Sequence, residues 1–401
     1  MLNIKWNTNS LISMNILHIS NSYGGTEVYT NLYKAIDGKD IIQTVFVPLN
    51  ANNHDRVGNK LIEFKNEESK IIYSTKLKGY HKIFYGLKVN AIVSEIIKKV
   101  NLSSIDLIHA STLCFDGAVA YELHKKYNIP YIVAVRNTDV NAYYKKLTWR
   151  HRYFTGILKN ASTIVFISPK YKENFLRSQV PVKTVEEVEN KMVVIPNGIN
   201  QVYLNNINET PHKLGDEIRL IFVAAFYKGK GLLETIHAVE NLRRKGYCLA
   251  FNAIGKGLPN RPRDEEYIKE AESLAKGKDW VKLQPFMKPE EIIKEMRESD
   301  LFVMVSSPET FGLVYVEALS QKLPIIYAKN QGFDGFFEDG FVGYPALAGD
   351  VTDIQNAIEG LIKNYNQICD NIQTIDLHKD FDWNSIGKKY RTIYKEILKT
   401  S

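Results

Sequence analysis

Cysteine is scarce in this sequence. Cys114, Cys248 and Cys369 are odd in number and far apart, which excludes a disulfide framework and offers no metal-ligand spacing. The nine histidines do not cluster with them. Long apolar runs are also missing: no stretch approaches the length of a bilayer span, and residues 1–13 lack the basic start and apolar centre of a signal peptide. A cytoplasmic enzyme is the expectation. Gly-x-Gly-x-x-Gly follows the first expected strand of neither half, which argues against a dinucleotide-dependent oxidoreductase. No nucleic-acid motif accompanies the basic residues, so no nucleic-acid partner is expected.

What is present is a chain of 401 residues, 44% hydrophobic and 24% charged, long enough for two domains that each bury a core. The net charge of +7 is uneven. Residues 1–200 hold 26 Lys/Arg against 16 Asp/Glu, and residues 201–401 hold 26 against 29. The basic first half suggests an anionic partner such as a membrane surface, a lipid phosphate or an acidic glycan, or else simply solvated lysines.

Strands are expected at residues 15–20, 41–48, 106–110, 131–136 and 163–168, with helices near 27–36, 83–100, 117–127 and 142–159. This alternation implies a parallel sheet covered on both faces. Gly24 and Gly25 sit in the first strand-to-helix turn, where they would let the backbone approach a ligand, or simply form a tight turn capped by Thr26. Met14 would serve as an alternative start, leaving residues 1–13 a dispensable extension. Arg136 and Asp139 follow a strand end, where open sheets bind ligands, although Asp139 or Thr138 would equally cap a helix. Two segments, 76–88 and 143–154, mix lysines and arginines with aromatics and suit an anionic membrane surface, or amphipathic packing on the sheet.

Residues 200–217 lack apolar periodicity and read as a linker, after which a second series of strands begins: 219–226, 248–254, 280–284, 301–305, 324–328 and 341–344. Lys228 and Lys230 lie among glycines at the first turn of that series, well placed for a diphosphate or merely solvated. Gly255-Lys256-Gly257 repeats the pattern more weakly. The densest stretch is Ser306 to Leu319. An apolar strand runs through Ser-Pro into Glu309-Thr310-Phe311-Gly312-Leu313 and a helix, so free amides and a helix dipole would form an anion cradle with Glu309 and Glu317 beside it. Asp380-Phe381-Asp382 precedes the last helix, where Asp382 reads as a cap, and no metal site is assigned.

Glu309 and Glu317, eight apart, with Gly24-Gly25, Ile195-Pro196-Asn197-Gly198, Lys230-Gly231 and Gly255-Lys256-Gly257 in order, resemble the retaining glycosyltransferases of family 4. The resemblance spans nearly the whole chain. It implies an α/β fold of the GT-B class: two doubly wound Rossmann-like domains facing across a cleft, 1–200 for the acceptor and 218–382 for the nucleotide sugar, with the last helix, 383–399, returning to the first. It also implies that Glu317 holds the ribose, Glu309 the transferred sugar, and the backbone of Thr310, Phe311, Gly312 and Leu313 the sugar and diphosphate. Lys230 would neutralise the leaving group, Gly24, Gly25 and Gly255 would approach the nucleotide, and Phe286 and Met287 would flank the base. Arg136 and Asp139 would stand on the acceptor side.

The implied reaction moves a hexose or N-acetylhexosamine from a UDP- or GDP-sugar to a glycan or lipid-linked acceptor, without a cofactor, at the inner membrane face in surface polysaccharide synthesis. A nucleotide-sugar 2-epimerase and a silent sugar-nucleotide-binding subunit are the alternatives. Departures from the pattern are Ala225 in place of an Arg, which leaves a phosphate cation missing or replaced by Lys228, Arg136 in place of a His, and Lys322 and Phe286 where Gly is common.

Overall fold

The computed structural model describes residues 13–210, 212–257 and 262–400; all of the expected extension except Ser13 lies outside the described residues. The chain divides into two compact units. One runs to Phe166 and takes in Phe175–Ile195 and Trp383 onward; the other comprises Ile167–Asn174 and Pro196–Asp382.

In the first unit seven parallel strands, β1 (Met14–Ile19), β2 (Ile41–Asn50), β3 (Lys70–Leu77), β4 (Leu107–Ala110), β5 (Tyr131–Val135), β6 (Thr163–Phe166) and β7 (Met192–Val194), lie in the order β3-β2-β1-β4-β5-β6-β7. Their continuous apolar runs follow from burial on both faces; all five residues of β5 are buried. The strand order reverses between β1 and β4, and the crevice at the carboxyl ends of those strands is where such sheets bind ligands.

Edge strand β3 was not expected, because its mostly half-exposed residues, Lys-Ile-Ile-Tyr-Ser-Thr-Lys-Leu, give no continuous apolar signal. Segment 76–88 is the end of β3, a turn at Gly79–Lys82 and the start of the helix Tyr85–Lys99. The single helix expected over 142–159 is broken into a π-type turn at Asp139–Tyr144, a 3-10 turn at Thr148–Arg150 and a helix at His151–Asn160. The imidazole of His151 takes the Tyr144 carbonyl at 2.8 Å, which ends the turn there.

The last helix, Trp383–Thr400, presents Ile386, Tyr390, Tyr394 and Ile397 to the core of this first unit and packs along the helix Glu27–Ile36. A side chain at Gly387 would strike the Ala35 carbonyl, so the two backbones can meet only at glycine. Arg391 forks onto both Asp40 oxygens at 2.6 Å and donates to the Ile36 carbonyl at 2.9 Å.

In the second unit six parallel strands, β8 (Ile218–Val223), β9 (Leu249–Ile254), β10 (Val281–Gln284), β11 (Leu301–Val303), β12 (Ile325–Ala328) and β13 (Gly343–Ala346), lie in the order β10-β9-β8-β11-β12-β13. Residues 201–210 and 212–217, read from sequence as part of a linker, belong to this unit. Tyr203 and Leu204 enter its core, and the Asn208 amide and His212 ring bond the carbonyls of Ser320 and Gln321 at 2.9 Å. With Val202, Ile207 and Leu214 packed partly against that core, the apolar residues here are too irregularly spaced over 202–214 to set a periodicity, which is why the sequence hid this packing.

Candidate active site

In the second unit the loops after β8, β11 and β12 converge on one residue, Glu309. Glu309 is 9% exposed. One of its oxygens accepts from the Lys230 ammonium at 2.7 Å and the Ser306 hydroxyl at 2.8 Å, and the other accepts from the Thr310 amide at 2.9 Å. Its own amide donates to the Gln331 side chain at 2.9 Å. Gly231 makes the approach of the Lys230 loop possible: its φ is +81° and a side chain there would lie 2.6 Å from the Val305 carbonyl.

Directly after this carboxylate, Gly312 caps the helix Leu313–Ser320 with φ +78°, a left-handed conformation in which any side chain would collide with the Tyr315 ring. Tyr315 in turn donates to the Met304 carbonyl at 2.6 Å, which fixes the helix on the strand. The amides of Phe311, Gly312 and Leu313 have no hydrogen-bond partner among the described residues. Free amides at a helix start, beside a lysine, make an anion-binding cradle. Lys228 is exposed on the neighbouring turn. Gly255 closes the loop after β9, its amide bonded to the Gln284 carbonyl at 3.0 Å, and the Lys256 ammonium stands 4.9 Å above the exposed Phe286 ring, with Met287 half-buried beside it.

In the first unit Gly24 and Gly25 form a short turn after β1, and the Thr26 hydroxyl caps the following helix by accepting from the Val28 amide at 3.3 Å. Arg136 leaves the end of β5, donates from Nε to the Ser111 carbonyl at 3.4 Å and lies over the Tyr29 ring.

Residues 205–374 match the family Glycosyl transferases group 1, and residues 23–202 match Glycosyltransferase Family 4. The chain is a group 1 glycosyltransferase. Among its relatives are an uncharacterised glycosyltransferase of Methanocaldococcus jannaschii, 26% identical over 84% of this chain and 86% of that protein, and the alpha-monoglucosyldiacylglycerol synthase of Acholeplasma laidlawii, 26% identical over 69% and 72%. The fold is GT-B. A sucrose-phosphate synthase from Thermosynechococcus elongatus superposes with a TM-score of 0.69 at 18% identity, and HepE from Anabaena in complex with UDP with 0.67 at 18%; each alignment covers 97% of this chain and 100% of the other.

Within this glycosyltransferase Glu317 differs sharply from Glu309. It lies on the second turn of the helix Leu313–Ser320, half-buried, and its carboxylate has no hydrogen bond or ion pair among the described residues. Burial pushes its carboxyl up to about 7. An unpartnered carboxylate in that position is a ready acceptor for ligand hydroxyls.

Asp139 needs correction. It was expected to face an acceptor, but it is fully buried, and its oxygens accept from the amides of Leu113 (3.0 Å), Cys114 (2.8 Å) and Arg136 (2.9 Å). Burial raises its carboxyl while these amides hold it down. It therefore ties the loops after β4 and β5 together instead of facing solvent. Ser306 and Gln331, which hold Glu309, carry little sequence signal of their own: Ser306 opens the Ser306–Leu319 stretch, and Gln331 lies between Asn330 and Gly332 after β12. Lys322 takes a positive φ, +63°, a conformation that glycine adopts at no steric cost. Among the described residues, no group of three or more His, Cys, Asp or Glu is placed to hold a metal ion.

Asp139→Ala should lower stability by roughly 3 kcal/mol or more, since three buried amides lose their acceptor, yet leave UDP affinity unchanged; denaturant melts and calorimetry read the two effects. For Glu317, UDP binding should weaken as the pH falls through about 7, and Glu317→Gln should flatten that dependence. A carboxyl raised in the folded state costs stability fully above about 7 and not at all below its ordinary 4.5. Glu317→Gln should therefore also raise the melting temperature above pH 7, and UDP affinity that is equal and pH-independent in both proteins would remove Glu317 from the nucleotide site.

Proposed function

We propose that this chain transfers a hexose or N-acetylhexosamine from a UDP- or GDP-sugar to a glycan or lipid-linked acceptor, with retention and without a metal, in surface polysaccharide or glycolipid synthesis. The observation that carries this is the Lys230–Glu309 pair set beside the open amides of Phe311, Gly312 and Leu313. Those amides and Lys230 would take up the charge that develops on the leaving nucleoside diphosphate. Glu309 would meet the hydroxyls of the sugar being moved, and Glu317 those of the ribose. Phe286, Met287 and Gly255 would border the base, Lys228 the phosphates, and Gly24, Gly25 and Arg136 would serve from the first unit.

In the reaction the anomeric C–O bond to the diphosphate breaks and a new C–O bond to the acceptor hydroxyl forms on the same face. The hydroxyl proton passes to the departing diphosphate oxygen, so no protein base is required. Relatives named for capsular polysaccharide and glucosyldiacylglycerol synthesis support an acceptor of this general kind.

A peripheral contact with an anionic bilayer, at the cytoplasmic face, fits the first unit. Ile83, Phe84, Leu87 and Trp149 are 79%, 55%, 51% and 73% exposed, and the Arg150 guanidinium lies 4.4 Å from the Tyr85 ring, which brings the two basic aromatic segments side by side. Lys76, Lys78, Lys145 and Lys146 are exposed around them. Among the described residues no helix is long and apolar enough to cross a membrane.

A panel of nucleotide sugars with glycan and lipid-linked acceptors decides the activity. Lys230→Ala should lower kcat by roughly 100- to 1,000-fold, and full transfer by both Glu309→Ala and Glu317→Ala would sink the site. Conversion of the sugar nucleotide without any acceptor would make the chain an epimerase. On vesicles, the wild type should float with phosphatidylglycerol-containing bilayers and much less with phosphatidylcholine alone. The pair Phe84→Ser and Trp149→Ser should abolish flotation, and equal flotation of the variant would remove the membrane surface.

A further inference from the structure

A cavity of about 560 Å³ opens in the first unit at the carboxyl ends of β1, β2 and β3, beside the Gly24-Gly25 turn. Its lining is asymmetric in charge: Arg56, His81 and Lys88 contribute basic side chains, Asn21, Asn50 and Asn53 contribute amides, and among the described residues no carboxylate takes part. Such a wall selects for an anion over a neutral sugar.

Each basic group is held so that its donors remain available. The Lys88 ammonium stands 3.7 Å from the centroid of the Phe115 ring and makes no hydrogen bond or ion pair among the described residues. Burial lowers its affinity for a proton, and Asp116, buried behind it, opposes that effect. Asp116 itself is engaged by the Asn21 amide at 3.2 Å and the Thr112 hydroxyl at 3.0 Å, so it does not cancel Lys88 directly. His81 accepts from the Lys78 amide through Nδ1 at 2.8 Å, which leaves the proton on Nε2 as a donor with no partner among the described residues. The exposed Arg56 passes over the two glycines: a Cβ added at Gly24 would lie 3.2 Å from the Arg56 Cβ, and one at Gly25 3.6 Å from its Nη1.

We propose that this cavity is a subsite for a phosphate-like group on the acceptor, gripped by Lys88, Arg56 and His81. The inference rests on the glycosyltransferase reading above, with the donor nucleotide in the second unit. It makes the acceptor a phosphorylated glycan or a phospholipid-type head group instead of a neutral sugar.

The test uses the full chain saturated with UDP, so that the donor phosphate site is filled. Binding of sn-glycerol 1-phosphate, inorganic phosphate and glycerol is followed by ligand-detected NMR. Glycerol phosphate should bind, glycerol should not, and Lys88→Met and Arg56→Gln should each weaken glycerol phosphate binding by about tenfold or more, the worth of one charge-assisted hydrogen bond. UDP affinity should stay the same in both variants. Since Arg56 is exposed, its substitution reports on the site even where the Lys88 variant folds poorly. Failure of glycerol phosphate to bind, equal affinity in both variants, or equal affinity for glycerol overturns the proposal. Binding of inorganic phosphate as tightly as glycerol phosphate would show a site for free phosphate and overturn the acceptor assignment. Loss of UDP binding by the wild type would instead count against the donor site, which separates the two failures.

Discussion

The second unit is organised around the carboxylate of Glu309. Lys230 reaches it from the loop after β8 and Ser306 from the end of β11, while Gln331, in the loop after β12, accepts from the Glu309 backbone amide, so one residue registers three strand ends. A largely buried ion pair of this kind gains little net stability, yet losing either partner is costly because the other charge is stranded. That asymmetry makes it a positioning device. It fixes where the Lys230 ammonium points and, through the Thr310 amide, where the free amides that follow are aimed.

Glu317, one helical turn beyond those amides, shows the opposite arrangement. Nothing in the described chain compensates its charge, and its raised proton affinity records that cost. A fold that retains an unpartnered carboxylate there forgoes stability, which is the pattern expected under the proposal that Glu317 meets ligand hydroxyls. In the first unit the cost is borne by Lys88 instead, a half-buried cation resting on an aromatic ring. The two units thus differ in what they expose: one sets open amides and a lysine beside two acids, and the other a wall of donors with no carboxylate among the described residues.

Much of the fold was legible in the sequence. Continuous apolar runs such as Tyr131–Val135 can be satisfied only by burial on both faces, so the parallel sheets could be read directly. Edge strand β3 and the docking of Tyr203 and Leu204 could not be read, since an edge is half exposed and irregularly spaced apolar residues set no period. In the site, the Ser306–Leu319 stretch was visible because its strand, glycine and helix are contiguous in the chain. Asp139 misled because a carboxylate just past a strand end looks the same whether it faces a ligand or, as here, three amides, two of them 25 and 26 residues before it.

By itself, then, the sequence determined the two parallel sheets, the turn chemistry at Gly312 and Gly231, and the pairing of acids around an anion cradle, since all of these depend on neighbours within a few residues. Only the tertiary structure decided which charges are compensated. Lys230 and Glu309 stand 79 positions apart and meet at 2.7 Å, the Glu317 carboxylate finds no partner among the described residues, and Arg56, His81 and Lys88 line one cavity from separate segments. Electrostatic balance is set by distance in space and by burial, and neither quantity is fixed until the strands that carry these residues have packed.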